Sequence, residues 1–255
     1  MTTNIGDDLV LTARRAGEPQ PEPEPEGAVM SLVEHLSELR IRIVKVVLAI
    51  AAGSVVGLYF NREIRDFLLL PLPTHTVQVL NPGDAFSITV RIALITGVIV
   101  AMPIILYQLW AFVAPGLTPS ERRAILPWIP VSLVFFAIGV GLAWLVLPVA
   151  VGFLLSFTDA SLRADLAAGP YFDFVGMLFL GFGLAMQYPI LLFALARIGI
   201  VSSAKLRAWR RYVILVIVIV GTAIMPPDAF SDIAMSIVLY VLYELTIFAV
   251  ARTGR

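Results

Sequence analysis

Residues 92–120 read IALITGVIVAMPIILYQLWAFVAPGLTPS, without one Asp, Glu, Lys or Arg in the run. A helix that crosses roughly 30 Å of hydrocarbon needs about 20 apolar residues, and this run is long enough. Backbone N–H and C=O groups meet no water inside a bilayer, so an open chain crosses it only as a helix. Five more stretches without those four residue types read as spans: Val46 to Asn61, Ala124 to Thr158, Phe174 to Ala196, Tyr212 to Pro227 and Ile233 to Tyr243. The expected fold is an all-α integral membrane protein with six transmembrane helices.

Composition agrees. Of 255 residues, 59% are apolar and 14% charged, and the mean hydropathy is +0.92, above that of soluble domains. Lys and Arg number 18 and Asp and Glu also 18, so no net field attracts nucleic acid. With no Cys and two His, disulfide frameworks, thiolate nucleophiles, iron–sulfur clusters and the usual zinc ligand sets are excluded. The chain has no phosphate-binding loop and no hydrolytic residue set that could share one membrane face. No metal or cofactor is expected, and the protein does not read as an enzyme.

Residues 1–28 form the only long polar stretch. In Glu18-Pro19-Gln20-Pro21-Glu22-Pro23-Glu24-Pro25-Glu26, Pro removes backbone donors and Glu repels Glu, which predicts an extended tail without a core. Arg14-Arg15 lies in this tail, but no apolar stretch follows as a cleaved signal would need. The expected organisation is a tail over 1–28, a membrane domain over 29–252 and a short tail over 253–255.

Span lengths differ. At about 1.5 Å per residue the third stretch is too long to lie wholly in lipid, and Pro148 is expected to end or bend it. The fifth and sixth are short for a bilayer, which predicts local thinning or shelter by neighbours. With the N-terminus inside, fourteen Lys and Arg fall on inner segments and four (Arg62, Arg65, Arg91 and Arg163) on outer ones. That asymmetry places both termini in the cytoplasm.

A few polar residues admit two readings. Leu32, Leu36, Leu39 and Ile43 share one face, predicting an amphipathic helix at the inner surface, with Ser31 and Glu34 as its capping box. Glu38 there either pairs with Arg42 at i,i+4 or offers its carboxylate to an incoming guanidinium. Thr118, Pro119 and Glu121 fit the N-cap, first and third positions of a helix start. Gln187 falls near mid-membrane, where its amide needs a partner in its own bundle or on another membrane helix. Glu244 lies within an apolar segment, near enough to its inner end to snorkel. Asp228, after Pro226-Pro227, is either the N-cap of the last helix or a functional group on the outer side.

The segments His35-Leu36-Ser37-Glu38-Leu39-Arg40, YQLWAFVAPGL at 107–117, Glu121-Arg122-Arg123 and Pro226-Pro227-Asp228-Ala229-Phe230-Ser231 resemble the signature segments of TatC, the six-span subunit of the twin-arginine protein translocase. The resemblance runs from about Met30 to Arg252. It implies a signal-peptide receptor that exports folded proteins across a prokaryotic cytoplasmic membrane using the proton motive force. It also implies single-span partners of the TatA and TatB type, more than one copy in the complex, and a curved scaffold that thins the bilayer. By the same resemblance, Glu38 and Glu121 form the site for the paired arginines, with Arg40 and Phe112 as further sensitive positions. Two carboxylates suit that task, since a guanidinium presents a planar fork where an ammonium is a point charge. Gln187 stands where the family often has Glu and is implied in contacting a partner helix. A neutral amide keeps hydrogen bonding there but not a charge.

Two other classes are weighed. A small-molecule secondary transporter tends to show inverted repeats and ionisable midplane groups, and no convincing repeat relates the two halves here. A structural membrane scaffold would leave Glu38 and Glu121 dispensable.

Overall fold

The computed structural model describes residues 32–118, 122–123, 126–158, 166–224 and 229–252. The chain divides into a short unit ending at Glu38 and a large one running from Leu39. Among the described residues all regular structure is helical, apart from one isolated bridge between Gln78 and Ala167, and turns and loops connect the helices. In chain order the helices are α1 (Leu32–Tyr59), α2 (Asn61–Leu69), α3 (Asp84–Val113), a 3-10 turn (Ala114–Gly116), α4 (Trp128–Leu155), α5 (Ala168–Ala185), α6 (Tyr188–Arg197), α7 (Ser203–Ile224) and α8 (Ala229–Arg252).

Among the described residues five spans are long and apolar enough to cross a membrane: the greater part of α1, then α3, α4, α5 with α6, and α8. Two helices remain: α2, of only nine residues, and α7, which is the short fifth span expected from the sequence. Its first half carries Lys205, Arg207, Arg210 and Arg211, leaving Tyr212 to Ile224 as apolar length, about 20 Å of helix.

Two local expectations are corrected. The surface helix before the first span is not separate, because α1 runs unbroken from Leu32 to Tyr59; no Pro interrupts it, and its first Gly is Gly53. Nor does Pro148 end the third span. It lies inside α4, which continues to Leu155. Pro148 removes one helical hydrogen bond, but Leu147, Ala150 and Val151 around it are buried, and that packing carries the helix past it.

Burial separates central from peripheral helices. In the most apolar window of each, 56% of residues along α5 and α6 are buried against 17% along α1. The main core joins α3, α4 and α5 through Ile92, Ala143, Leu147, Phe172, Leu178 and Phe182. A second cluster joins α6, α7 and α8 through Phe193, Leu206, Tyr243 and Ile247. Outward faces carry exposed Val47, Leu48 and Val55 on α1 and Leu215, Val218 and Ile219 on α7, a pattern that suits lipid and not water.

Specific contacts fix the loops. Asn61 donates from Nδ2 to the Thr89 carbonyl at 3.0 Å, and the Tyr171 hydroxyl donates to the Leu68 carbonyl at 2.5 Å, holding α2 to α3 and α5. The Gln78 N–H donates to Leu166 O and the Ala168 N–H to Gln78 O, both at 2.8 Å. Helix α1 meets α3 where Gly53 faces Gly97 and Gly57 faces Ala93. Small residues four apart on both helices permit that backbone approach.

Candidate functional site

Apart from Arg62, Arg65, Arg91 and Arg163, the basic residues of the large unit lie in the first half of α1, between α3 and α4, at the end of α6, in the first half of α7 and at or beyond the end of α8. At this basic end, α3 stops because Pro115 cannot continue it, and Ala114–Gly116 tightens into a 3-10 turn. The Leu117 N–H returns to the Ala114 carbonyl at 3.2 Å and Leu117 turns extended. The Arg122 N–H reaches Thr118 O at 2.9 Å, the bond expected if Thr118 starts a helical turn.

This arrangement leaves a cleft of about 120 Å³ floored by Tyr107, Trp110 and Ile129 and walled by Leu117 and Arg122. A wider one of about 550 Å³ adjoins it, with Pro115, Arg122 and Arg123 on its rim. Trp110 is buried against Ile190 and Ala194 of α6, so it is a rigid floor, whereas Tyr107 is exposed. Aromatic faces beside a cleft can stack a guanidinium, while Arg122 and Arg123 give the rim a positive background.

Of the residues singled out in sequence, Phe112 is half-buried in the last turn of α3, and Arg40 is exposed on α1. Glu38 is half-buried at the end of the short unit. Glu121 and Asp228 lie outside the described residues; Arg122 follows the first directly, and α8 begins one residue after the second. Arg42 donates from Nη1 to Gln108 Oε1 at 3.2 Å, joining α1 to α3, and Gln108 is buried. The sequence reading did not find this contact, which spans 66 positions.

Gln187 sits at a break. Helix α5 ends at Ala185 and α6 starts at Tyr188, because Pro189 has no N–H and its ring crowds the Ala185 carbonyl. The Gln187 amide donates from Nε2 to the Ser132 carbonyl of α4 at 3.1 Å. Its partner is thus within the bundle, on the neighbouring helix α4. Glu244 is half-exposed and pairs with Arg210 of α7 at 2.6 Å, with the Tyr240 hydroxyl at 3.3 Å.

A further polar cluster lies at the opposite ends of α7 and α8. Thr222 Oγ1 donates to Asp232 Oδ2 at 2.8 Å. Among the described residues, Asp232 Oδ1 and Ser236 Oγ are buried with no hydrogen-bond partner. Asp232 went unnoticed in sequence because the apolar stretch was counted from Ile233. The signal was there: a carboxylate in the first turn of a helix that crosses lipid.

The family model described as Sec-independent protein translocase protein (TatC) matches residues 34–237. Among curated relatives, the Sec-independent protein translocase protein TatC of Carboxydothermus hydrogenoformans is 37% identical over 227 residues, covering 88% of this chain and 93% of that protein. The protein of the same name from Aquifex aeolicus is 36% identical over 226 residues, covering 86% and 94%. A crystal structure of a twin arginine translocase receptor, TatC, in DDM superposes with a TM-score of 0.76 at 35% identity, over 85% of this chain and 99% of that one. A second crystal structure of that receptor gives 0.76 at 34% identity, over 87% and 100%.

Proposed function

We propose, from the premise that this chain belongs to the TatC family of Sec-independent protein translocase proteins, that its basic end receives the paired arginines of export signal peptides. The chain is a protein-translocation subunit, not a catalyst, and a multi-pass membrane protein. Glu38 and Glu121 are assigned as the carboxylates that meet the two guanidinium groups, with Arg40 and Phe112 shaping the site.

The observation that carries this reading is the cleft at the end of α3. It offers an aromatic floor of Tyr107 and Trp110 on which a guanidinium can stack, and Glu121, which precedes the lining residue Arg122 in the chain, is assigned as the acid that offsets that arginine's repulsion. On a basic background an added acid acts locally, so binding is set by direct pairing more than by long-range attraction. Bidentate pairing also accounts for selection of arginine over lysine.

The positive-inside asymmetry supports a cytoplasmic membrane location with both termini inside. Single-span partners of the TatA and TatB type are assigned to the membrane faces near Gln187 and along the α7–α8 pair, within a complex holding several copies. What supports this is the apolar exposure of α7 together with the unmet hydrogen-bonding capacity of Asp232 and Ser236.

The test is photo-crosslinking of a twin-arginine signal peptide to the protein in membrane vesicles. Crosslinking is expected to fall strongly for Glu38→Ala with Glu121→Ala and for a Lys-Lys peptide. Equal crosslinking in every case would overturn the receptor site and favour a scaffold.

A further inference from the structure

Arg91 of α3 and Asp173 of α5 form an ion pair with Nη1 2.7 Å from Oδ1, and their side chains remain 35% and 50% exposed. Arg91 also donates from Nη1 to the Gly169 carbonyl at 3.2 Å. The depth of this pair follows from helix length. The 30 residues of α3 make about 45 Å, against roughly 30 Å of hydrocarbon. With α3 centred, about five residues at each end lie among lipid headgroups. Arg91, eighth from the start of α3, and Asp173, sixth from the start of α5, then stand at or just below the headgroup boundary. Their side chains lean towards the helix N-termini and so reach the level of lipid phosphates and amines, on the side opposite the cleft at the end of α3.

An open groove of about 270 Å³ runs from this pair between α3 and α5, with Ile95 on one wall and Met177, Leu180 and Leu184 on the other. Asp173, Met177, Leu180 and Leu184 are spaced by four, three and four residues, so they share one helical face. Gly176 and Gly181 keep the groove deep between the two walls. It therefore has two charges of opposite sign at its mouth and apolar surface below them, the layout of a single amphiphile.

We propose that this groove is a binding site for phosphatidylethanolamine from the leaflet opposite the chain termini. The lipid phosphate pairs with Arg91, the primary ammonium donates to Asp173, and one acyl chain lies against Ile95, Met177, Leu180 and Leu184. Charge complementarity selects this headgroup. A choline has no N–H to donate to Asp173. A phosphatidylglycerol brings its phosphate to Arg91 but leaves Asp173 beside a second anion. Only a headgroup with both a phosphate and an N–H cation meets both side chains.

The experiment is native mass spectrometry of the purified full chain titrated with phosphatidylethanolamine, phosphatidylcholine and phosphatidylglycerol of matched acyl chains. Phosphatidylethanolamine is expected to bind about five- to tenfold more tightly than the other two. Asp173→Asn should erase that preference and Asp173→Glu should keep it, while Arg91→Gln should weaken all three lipids. Leu184→Trp leaves the charges in place and should weaken all three by obstructing the acyl chain, with melting curves confirming a folded protein. Equal binding of the three lipids, or a preference that survives Asp173→Asn, overturns the proposal. A photo-crosslinker at Met177 that captures a polypeptide in membranes, and not lipid, overturns it as well.

Discussion

Gly53 of α1 rests against Gly97 of α3 with no room for a side chain between them: a Cβ on Gly53 would stand 2.7 Å from the Gly97 carbonyl oxygen. One turn on, a Cβ on Gly57 would stand 2.8 Å from Cα of Ala93. Gly53→Leu is therefore expected to force the helices apart and destabilise the protein by about 1–3 kcal/mol, the usual range for overpacking. Gly141, with nothing within 4 Å of its would-be Cβ, is the control, and its change to Ala should be neutral or stabilise by about 0.5–1 kcal/mol. Melting temperatures in detergent check both.

Gln187 donates to a carbonyl that already serves α4, so losing its amide orphans little. Gln187→Leu should change stability by about 0.5–1.5 kcal/mol, the net value of one hydrogen bond. Crosslinking to single-span partners should fall while signal-peptide crosslinking stays intact. Loss of peptide crosslinking instead would refute the assignment of this position to partner contact.

Arg210 and Glu244 join the basic ends of α7 and α8 at 2.6 Å with side chains 46% and 33% exposed. Partial exposure screens such a pair, so a double-mutant cycle with Arg210→Ala and Glu244→Ala should give a coupling of about 0.2–1 kcal/mol that shrinks in high salt. A coupling of several kcal/mol would mean the pair is sealed from solvent in the bilayer.

Asp232 has one oxygen bonded to Thr222 and one buried without a partner. Asp232→Leu should therefore raise the melting temperature of the isolated protein, because an unmet buried acceptor costs about 1–3 kcal/mol. The same change should reduce recovery of single-span partners, measured by co-purification. Unchanged recovery would make this carboxylate purely structural.

How much of this was legible depended on the range of the interaction that decides each feature. Uncharged runs marked the spans because the bilayer imposes one rule on every backbone group, and the motifs around Phe112 and Arg122 marked the cleft's end of the molecule. Of the two outcomes expected at Pro148, an end or a bend, the end is excluded, because burial of Leu147, Ala150 and Val151 carries the helix past it. Pro189 signalled the break before α6, but not that the amide of Gln187 would cross to Ser132, 55 positions away. Arg42 and Gln108 could not be paired in advance, since only the docking of α1 on α3 brings them together. Asp232 was visible and passed over, because counting apolar runs discards the charge that bounds one.

The pairing of α7 with α8 bears on how the chain is made. Helix α7, with its arginines and about 20 Å of apolar length, partitions poorly into lipid by itself. Its partner closes it at both ends, through Arg210 with Glu244 and Thr222 with Asp232, and the Tyr243 hydroxyl grips the Leu206 carbonyl at 2.6 Å. Biogenesis should therefore deliver the two as one hairpin, with α7 waiting at the surface until α8 has left the ribosome. A nascent chain halted before Ala229 should leave α7 open to protease or alkali extraction, and one extended through Arg252 should protect it.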